Sequence, residues 1–322
     1  MGRMVRRTVF ACMCMILLSI ETMAARTVIP GGQVIGIELQ DGTVTVAAID
    51  ETMGKSARSA GVQAGDRIVK IDGKEIHEAS DVHRQLERSD GTVELEVERD
   101  GKTQKVTVKP AITPEGPRLG VYLRQGVTGV GTVTWYDPDT SSFGALGHGV
   151  NTPKGQLLKM KEGSVYPASV AGVIRGASGE PGQLLGKLES REPVGELEKN
   201  TDRGIFGTAT IPWQGQGIAV ASPGEVKTGE ATILSTVAGK ETQAYRVEIL
   251  KIYPDTRQSS RNMLLRVTDP QLLEATGGIV QGMSGSPLVQ DGKLIGAVTH
   301  VLVNDPTMGY GIFIENMLEA AG

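Results

Sequence analysis

Gly282-Met283-Ser284-Gly285-Ser286-Pro287 stands between Ile279-Val280 and Leu288-Val289, and its reading decides the fold. The flanks are apolar enough to be two buried strands, which makes the hexapeptide a turn between them. Small residues around Ser284 let the backbone bend sharply and leave its Oγ clear of neighbouring side chains. Such a turn aims successive N–H groups into one concavity, as a tetrahedral oxyanion requires. Taken alone, the segment reads equally as a Gly/Ser-rich hairpin turn with no chemistry attached.

A serine hydroxyl is a poor nucleophile at neutral pH without a base to take its proton. The chain has four histidines. His77 and His83 fall in a segment that reads as a separate domain, and His300 follows the serine on the next strand. His148 sits in Gly144-Ala145-Leu146-Gly147-His148-Gly149-Val150, where glycines permit close backbone approach at an apolar strand end. It is the candidate base, against the plainer reading of a half-buried histidine bonded to a carbonyl.

With 322 residues, 43 glycines and 4% aromatics, the chain favours many short strands and tight turns in two domains. The net charge of −4 comes from interspersed acids and bases, so no surface for a nucleic-acid backbone is expected. Residues 1–25 read as a signal peptide or membrane anchor: Arg3, Arg6 and Arg7 precede the apolar run Val9 to Ile20, and Met23-Ala24-Ala25 follows. The run is short for a bilayer span of roughly 20 residues. Both cysteines, Cys12 and Cys14, lie inside it, so the rest of the chain has no disulfide, thiolate chemistry or cysteine-based zinc site. Neither a metal nor an organic cofactor is expected.

Residues 30–112 read as a small domain. Thr43 to Val46 alternates, Arg67 to Ile71 leads into Asp72-Gly73, Ser80 can open a helix carrying Val82 and Leu86, and Val93 to Val108 forms a hairpin around Asp100-Gly101. This order resembles a bacterial PDZ domain. The resemblance makes Gly32-Gln33-Val34-Ile35-Gly36-Ile37 the loop that receives a peptide segment. Pro114 to Pro117 reads as a linker. Residues 118–322 return to short strands, among them Val130 to Trp135, Val170 to Ile174, Gly217 to Ala221, Ala231 to Val237 and Tyr245 to Ile252. The expected fold class is mainly β: a PDZ-like α+β domain followed by a chymotrypsin-like double β-barrel.

Gly-Ala-Leu-Gly-His-Gly followed by Gly-Met-Ser-Gly-Ser-Pro, behind a PDZ-like segment, resembles the SpoIVB peptidases, sporulation serine peptidases of endospore-forming bacteria. The likeness runs from about Pro30 to the carboxyl terminus. Ser284 to Val289, with Gly296 and Gly309-Tyr310-Gly311, is similar more loosely to the end of a chymotrypsin-type domain, which implies that Ser284 and not Ser286 is the nucleophile. Amides near Gly282 and Ser284 would then form the oxyanion hole. The third member should be a carboxylate that orients His148. Asp202, Asp255 and Asp269 all lie between His148 and Ser284; Asp269 comes first because it ends an apolar strand and matches the position of the acid implicated in the family. Asp269-Pro270 also has the plainer reading of a turn.

The resemblance further implies a signalling protease exported to the space between forespore and mother cell. It would cut a membrane-bound regulator of an intramembrane protease, which then processes a sigma-factor precursor, and would trim its own amino-terminal region. A trypsin-like envelope quality-control protease and a non-catalytic PDZ scaffold are the alternatives. His300 and Val301 are candidates to line the substrate pocket.

Overall fold

A computed structural model describes residues 26–152, 155–254 and 260–322. The expected leader at residues 1–25 and the candidate acid Asp255 lie outside the described residues. Among the described residues no helix is long and apolar enough to cross a membrane.

The described residues begin with β1 (Thr27–Pro30) and the long β2 (Val34–Ile49), then α1 (Lys55–Ser59), β3 (Arg67–Ile71), β4 (Lys74–Glu75), α2 (Ala79–Glu87), β5 (Val93–Arg99), β6 (Lys102–Val108), β7 (Ala111–Thr113) and β8 (Gly116–Arg118). There follow β9 (Val121–Asp137), β10 (Ser142–Ala145), β11 (Glu162–Ile174), β12 (Gln183–Leu188), β13 (Gly195–Thr201), β14 (Gly204–Ala209) and β15 (Ile218–Ala219). The last part holds β16 (Gly229–Ser235), β17 (Gln243–Ile252), β18 (Met263–Val267), α3 (Pro270–Thr276), β19 (Pro287–Gln290), β20 (Lys293–Leu302), β21 (Asp305–Phe313) and α4 (Ile314–Ala321).

Two barrels emerge from the pairing. β9, β10, β14, β13, β11 and β2 form a ring that closes where β2 returns to β9. The second barrel closes in the order β16-β17-β18-β21-β20-β19. Each has its own apolar interior: Leu39, Val133, Phe143, Val165 and Ile205 in the first, Ile233, Ile249, Met263, Leu265 and Leu288 in the second. The fold is therefore mainly β, with a PDZ unit whose separate core includes Val44, Ile68, Ile71, Val82, Leu86, Leu95 and Val97. In that unit, Val82 and Leu86 are one helical turn apart on α2 and both face this core.

The segment Gly32 to Ile37 does not form a ligand loop. Val34 to Ile37 are the first residues of β2, paired with β9 on one edge, Val34 opposite Thr132 and Ile37 opposite Gly129. On the other edge Ile35 to Ile37 face Pro167 to Val165 of β11. The amide of Gly32 bonds to the Val133 carbonyl and the carbonyl of Gln33 accepts from the Val133 amide. With both ladders occupied, no free strand edge is left for an incoming peptide. The segment's apolar residues made a buried strand, and the barrel rather than the PDZ unit claimed it.

Asp269 begins α3. Its carboxylate accepts from the amides of Gln271 at 2.9 Å and Leu272 at 3.3 Å, Pro270 follows at the first helical position, and Gly277 at φ +78° ends the helix. This is an N-cap with the usual proline and glycine punctuation. Asp269 also accepts from the Arg246 amide at 3.2 Å. Burial raises its pKa, but the Arg246, Leu272 and Gln271 amides and the Arg246 charge together outweigh that and hold it below the ordinary carboxylate value. Asp269→Ala should cost about 1 kcal/mol of stability. Because the folded-state value is depressed, the deficit should be complete at neutral pH and fade as pH falls below about 4. Denaturant melts of the two proteins across that range would check it; an unchanged midpoint at pH 7 would contradict the capping role.

Candidate active site

His148 is carried by the end of β10, in the first barrel. Leu146 and Gly147 both adopt left-handed backbone, at φ +69° and +68°, which turns the chain out of the strand. For Leu146 this conformation costs on the order of 1–3 kcal/mol, tolerated because its side chain fills the first barrel's core. A Cβ on Gly147 would stand 2.9 Å from the Thr299 methyl and 3.1 Å from Ile312, so glycine lets the two barrels touch here. Beyond the histidine, Asn200 on β13 fixes the loop: its Oδ1 accepts from the Val150 amide at 2.9 Å, and its Nδ2 donates to the Val150 and Leu158 carbonyls, each at 2.9 Å.

Ser284 lies on the turn before β19, in the second barrel. Gly282 at φ +97° and Gly285 at φ +95° make that turn possible. A Cβ at Gly285 would also run into the Thr132 carbonyl and the Leu146 amide. Strand β9 holds the turn in three places. The Thr132 amide donates to the Ser284 carbonyl at 3.1 Å, Thr132 Oγ1 to the Gly282 carbonyl at 2.8 Å and Thr134 Oγ1 to the Gly285 carbonyl at 2.8 Å. The amides of Met283, Gly285 and Ser286 are bonded to Val280, Val298 and Met283 carbonyls. Among the described residues no hydrogen bond engages those of Gly282 and Ser284, and both residues border the cavity.

That cavity, of about 430 Å³, contains His148, Ser284 and His300 between apolar walls that include Leu39, Val127 and Val130. His148 Nδ1 donates to the Gly149 carbonyl at 3.0 Å, which leaves Nε2 as the basic nitrogen. Burial pushes the His148 pKa below its ordinary value, against a smaller opposite effect of that hydrogen bond. Ser284 Oγ donates to the Thr299 carbonyl at 2.9 Å, and its residue shares the cavity with His148. Ser286 has a different place: it is fully buried, with Oγ 3.0 Å from Ser235 Oγ.

The expected carboxylate is not in this cavity. Asp269 is committed to two amides of α3 and to the Arg246 amide on β17, and does not border it. Asp202 is exposed in the turn between β13 and β14, next to Thr201, whose carbonyl faces Gly149. His148 instead has a second imidazole beside it: the His300 ring lies 5.3 Å away, centroid to centroid, tilted by 42°. Sequence reading placed His300 near the pocket but did not pair it with His148, because only barrel closure brings β20 across from the end of β10.

A second groove, of about 240 Å³, lies between α2 and the start of β9 and is bordered by Ala79, Val82, Leu86, Val121 and Leu123. Val121 to Gln125 pair with β2 on one edge; among the described residues no strand pairs with the other. Gly120, at φ +70°, accepts the Asp50 amide at 2.9 Å and turns the chain into this strand. The signal missed was Leu119-Gly120-Val121, which repeats the apolar-glycine-apolar pattern of Ile35-Gly36-Ile37.

The family model of the SpoIVB peptidase S55 matches residues 115–318, and that of the PDZ domain residues 33–109. A protease of Mycobacterium tuberculosis in its active form is similar in structure at 17% identity, over 61% of this chain and 75% of that one, with a TM-score of 0.38. The PDZ domain of an SdrC-like protein of Listeria monocytogenes covers 25% of this chain and 85% of its own at 23% identity, with a TM-score of 0.22. A protein named as a zinc metalloprotease in Mesorhizobium japonicum is 35% identical over 80 residues, which are 24% of this chain and 22% of that one. A Staphylococcus aureus protein named likewise is 37% identical over 81 residues, 19% of its length. This chain thus spans about a fifth of the curated relatives it matches. The peptidase model takes in more than half of the residues, the His148 and Ser284 segments among them, and on that ground the chain belongs to the SpoIVB peptidase S55 family, as a serine peptidase with a PDZ domain.

Proposed function

We propose that this protein is a signalling endopeptidase in which Ser284 is the nucleophile and His148 the base. The carrying observation is that Ser284, His148 and two unengaged amides border one cavity, although they come from different barrels. In the reaction, Ser284 leaves the Thr299 carbonyl and attacks the substrate carbonyl carbon while its proton passes to His148 Nε2. The Gly282 and Ser284 amides receive the oxyanion. The proton then goes to the leaving amine as the C–N bond breaks, and water releases the acyl group with His148 again as base.

Family membership supports a finer role. The substrate is a membrane-bound regulator of an intramembrane protease, cut outside the cytoplasmic membrane during sporulation so that a sigma-factor precursor is processed. The protein's own amino-terminal region is a second substrate. The groove beside α2 supports recruitment of such segments, because the unpaired edge of Val121 to Gln125 can accept an extended peptide as an added strand.

Ser284→Ala should lower turnover on the order of 10⁴–10⁶-fold and abolish labelling by a fluorophosphonate. Ser286→Ala should stay active but lose about 1 kcal/mol of stability, since it strands the buried Ser235 hydroxyl. A dead Ser286 variant beside a live Ser284 variant would reverse the assignment. Cells of the source organism carrying Ser284→Ala should fail to process the sigma-factor precursor during sporulation; normal processing would remove the signalling role and leave the peptidase.

The pH dependence has a definite sign. Only the neutral imidazole can accept the serine proton, and burial lowers the His148 pKa, so kcat/KM should fall on the acid side at a midpoint below about 6.5. A midpoint above 7 in a pH–rate profile would contradict the burial argument.

Recognition should separate from chemistry at Ala79, which is half-buried on the groove wall. Ala79→Arg should slow cleavage of a folded protein substrate at least several-fold and leave a short peptide's rate unchanged. Equal loss on both substrates would show that the groove does not recruit.

A further inference from the structure

One strand borders both openings. Of β9, Val121, Tyr122 and Leu123 line the groove beside α2, and Val127, Gly129 and Val130 line the cavity that contains Ser284 and His148. Only Arg124 to Gly126 separate the two stretches. β9 is continuous across them; the irregularity in its ladder is carried by β2, where Gln40 to Thr43 are skipped while β9 gives up Gly126 alone.

The edge of β9 turned away from β2 has a consistent direction. The Thr132 amide donates to the Ser284 carbonyl and the Thr132 carbonyl accepts from Leu146, whereas the Val133 amide and carbonyl are bonded to Gln33 and Gly32. In an antiparallel ladder the main-chain groups alternate between the two edges, so those of Thr128 and Val130, like those of Thr132, point away from β2. At the other end, the Val46 amide and carbonyl are bonded to Asp66 and Gly65, on the β3 side. Leu123, which stands opposite Val46, therefore also points its amide and carbonyl away from β2, towards the groove it lines. Among the described residues no strand pairs with this edge from Val121 to Gly131.

Gly129 adds an independent sign. It does not adopt left-handed backbone, and a Cβ there would meet nothing within 4 Å. Glycine inside a strand marks a bulge, a bend or close approach by a ligand or another backbone. No bulge accounts for it, since Thr128, Gly129 and Val130 pair in register with Glu38, Ile37 and Gly36.

We propose that the substrate binds as one added strand along this edge, so that the groove holds the segment roughly seven to eleven residues beyond the bond that is cut. This inference rests on the reading of Ser284 as nucleophile and of the groove as the recruiting site. Every strand beside β9 is antiparallel to it, and antiparallel pairing is the more stable per residue. A substrate strand of that sense passes Ser284 first and reaches Leu123 with its carboxyl-terminal part. At roughly 3.3 Å per residue, the steps from Thr132 to Val121 span about 36 Å. The occupant is therefore an extended segment of an unfolded or loosely folded protein, cut on the amino-terminal side of the stretch that is held. Bonding to the main chain of Thr128 and Val130 reads no side chain, so between the two sites length and extended form count for more than sequence.

The test gives the full chain a digest of bacterial lysate, with peptides of about 8 to 40 residues, and locates each cut bond by mass spectrometry. In the peptides cut fastest, at least about eleven residues should follow the cut bond, with no such minimum before it. For one of these peptides, shortening the carboxyl-terminal side to about four residues should lower kcat/KM about 10-fold or more, and shortening the amino-terminal side to about six residues should cost far less. Ala79→Arg, on the groove wall, should bring the ratio of long-peptide to short-peptide rates near one; Ala79→Glu replaces it if the Arg variant fails to melt cooperatively. A Gly-Ser linker of twice the length, put in place of the residues midway between the two sites, separates a ladder from a tether: an added strand loses the gain, a tether keeps it. A gain that survives the linker or the groove variant overturns the added strand, as does a rate independent of length or a requirement on the amino-terminal side instead. Wild type that takes the fluorophosphonate label but cuts no peptide overturns it too, since an extended segment of sufficient length is all that the edge needs. If Ser284→Ala labels and cuts as wild type does, the nucleophile reading fails; cutting that depends on Ser284 but follows no length rule sinks the added strand alone.

Discussion

The hydroxyls of Thr132 and Thr134, two residues apart on β9 and so on the same face of the strand, donate to the carbonyls of Gly282 and Gly285. Between them, the Thr132 amide donates to the carbonyl of Ser284 itself. A strand of the first barrel thus grips both sides of the Ser284 turn, which belongs to the second. Both threonines are fully buried, where hydrogen bonds are costly to break and define one arrangement rather than several. The turn's two unengaged amides, at Gly282 and Ser284, keep their direction because the carbonyls around them are tied to β9.

The same strand runs from the groove beside α2 to the turn that carries Ser284. Its first residues, Val121 to Gln125, pair with the part of β2 that belongs to the PDZ core and form one wall of the groove beside α2. Its later residues run past the nucleophile turn and continue to Trp135 and Tyr136, which pair with β1. β2 follows the same course in reverse, from the first barrel into the PDZ unit. Two long paired strands cross the boundary, so the PDZ unit is fixed to the peptidase by backbone ladders and not only by a linker. A register slip in either strand would move the groove and the Ser284 turn together.

His148 and Ser284 border one cavity where the barrels touch. Leu146 and Gly147 turn the β10 end towards Thr299 and Ile312, and close approach there leaves no room for a side chain at position 147. On the far side of the histidine, Asn200 holds the following loop by three hydrogen bonds. The position of His148 therefore depends on residues from β10, β13 and β20, which are far apart along the chain.

The sequence by itself determined the local features. Small residues around Ser284 and the Gly-His-Gly segment specified two sharp turns at strand ends, alternation and turn residues located most of the strands, and the order of elements between Thr43 and Val108 was recognisably PDZ-like. These depend on neighbours within a few residues, where backbone conformation and hydrophobic period carry the information. Tertiary structure decided what those features meet. Ile35-Gly36-Ile37 and Leu119-Gly120-Val121 have the same pattern; barrel closure buried the first between β9 and β11 and left the second beside α2. Asp269 had the sequence context of a catalytic acid, yet its carboxylate was nearest to the amides of its own helix and capped them. His300 looked like a pocket residue, and only the crossing of β20 and the β10 loop set it against His148. A side chain's partner across more than a hundred residues is fixed by how sheets close and which ladders are filled, and those are properties of the whole chain that no short stretch encodes.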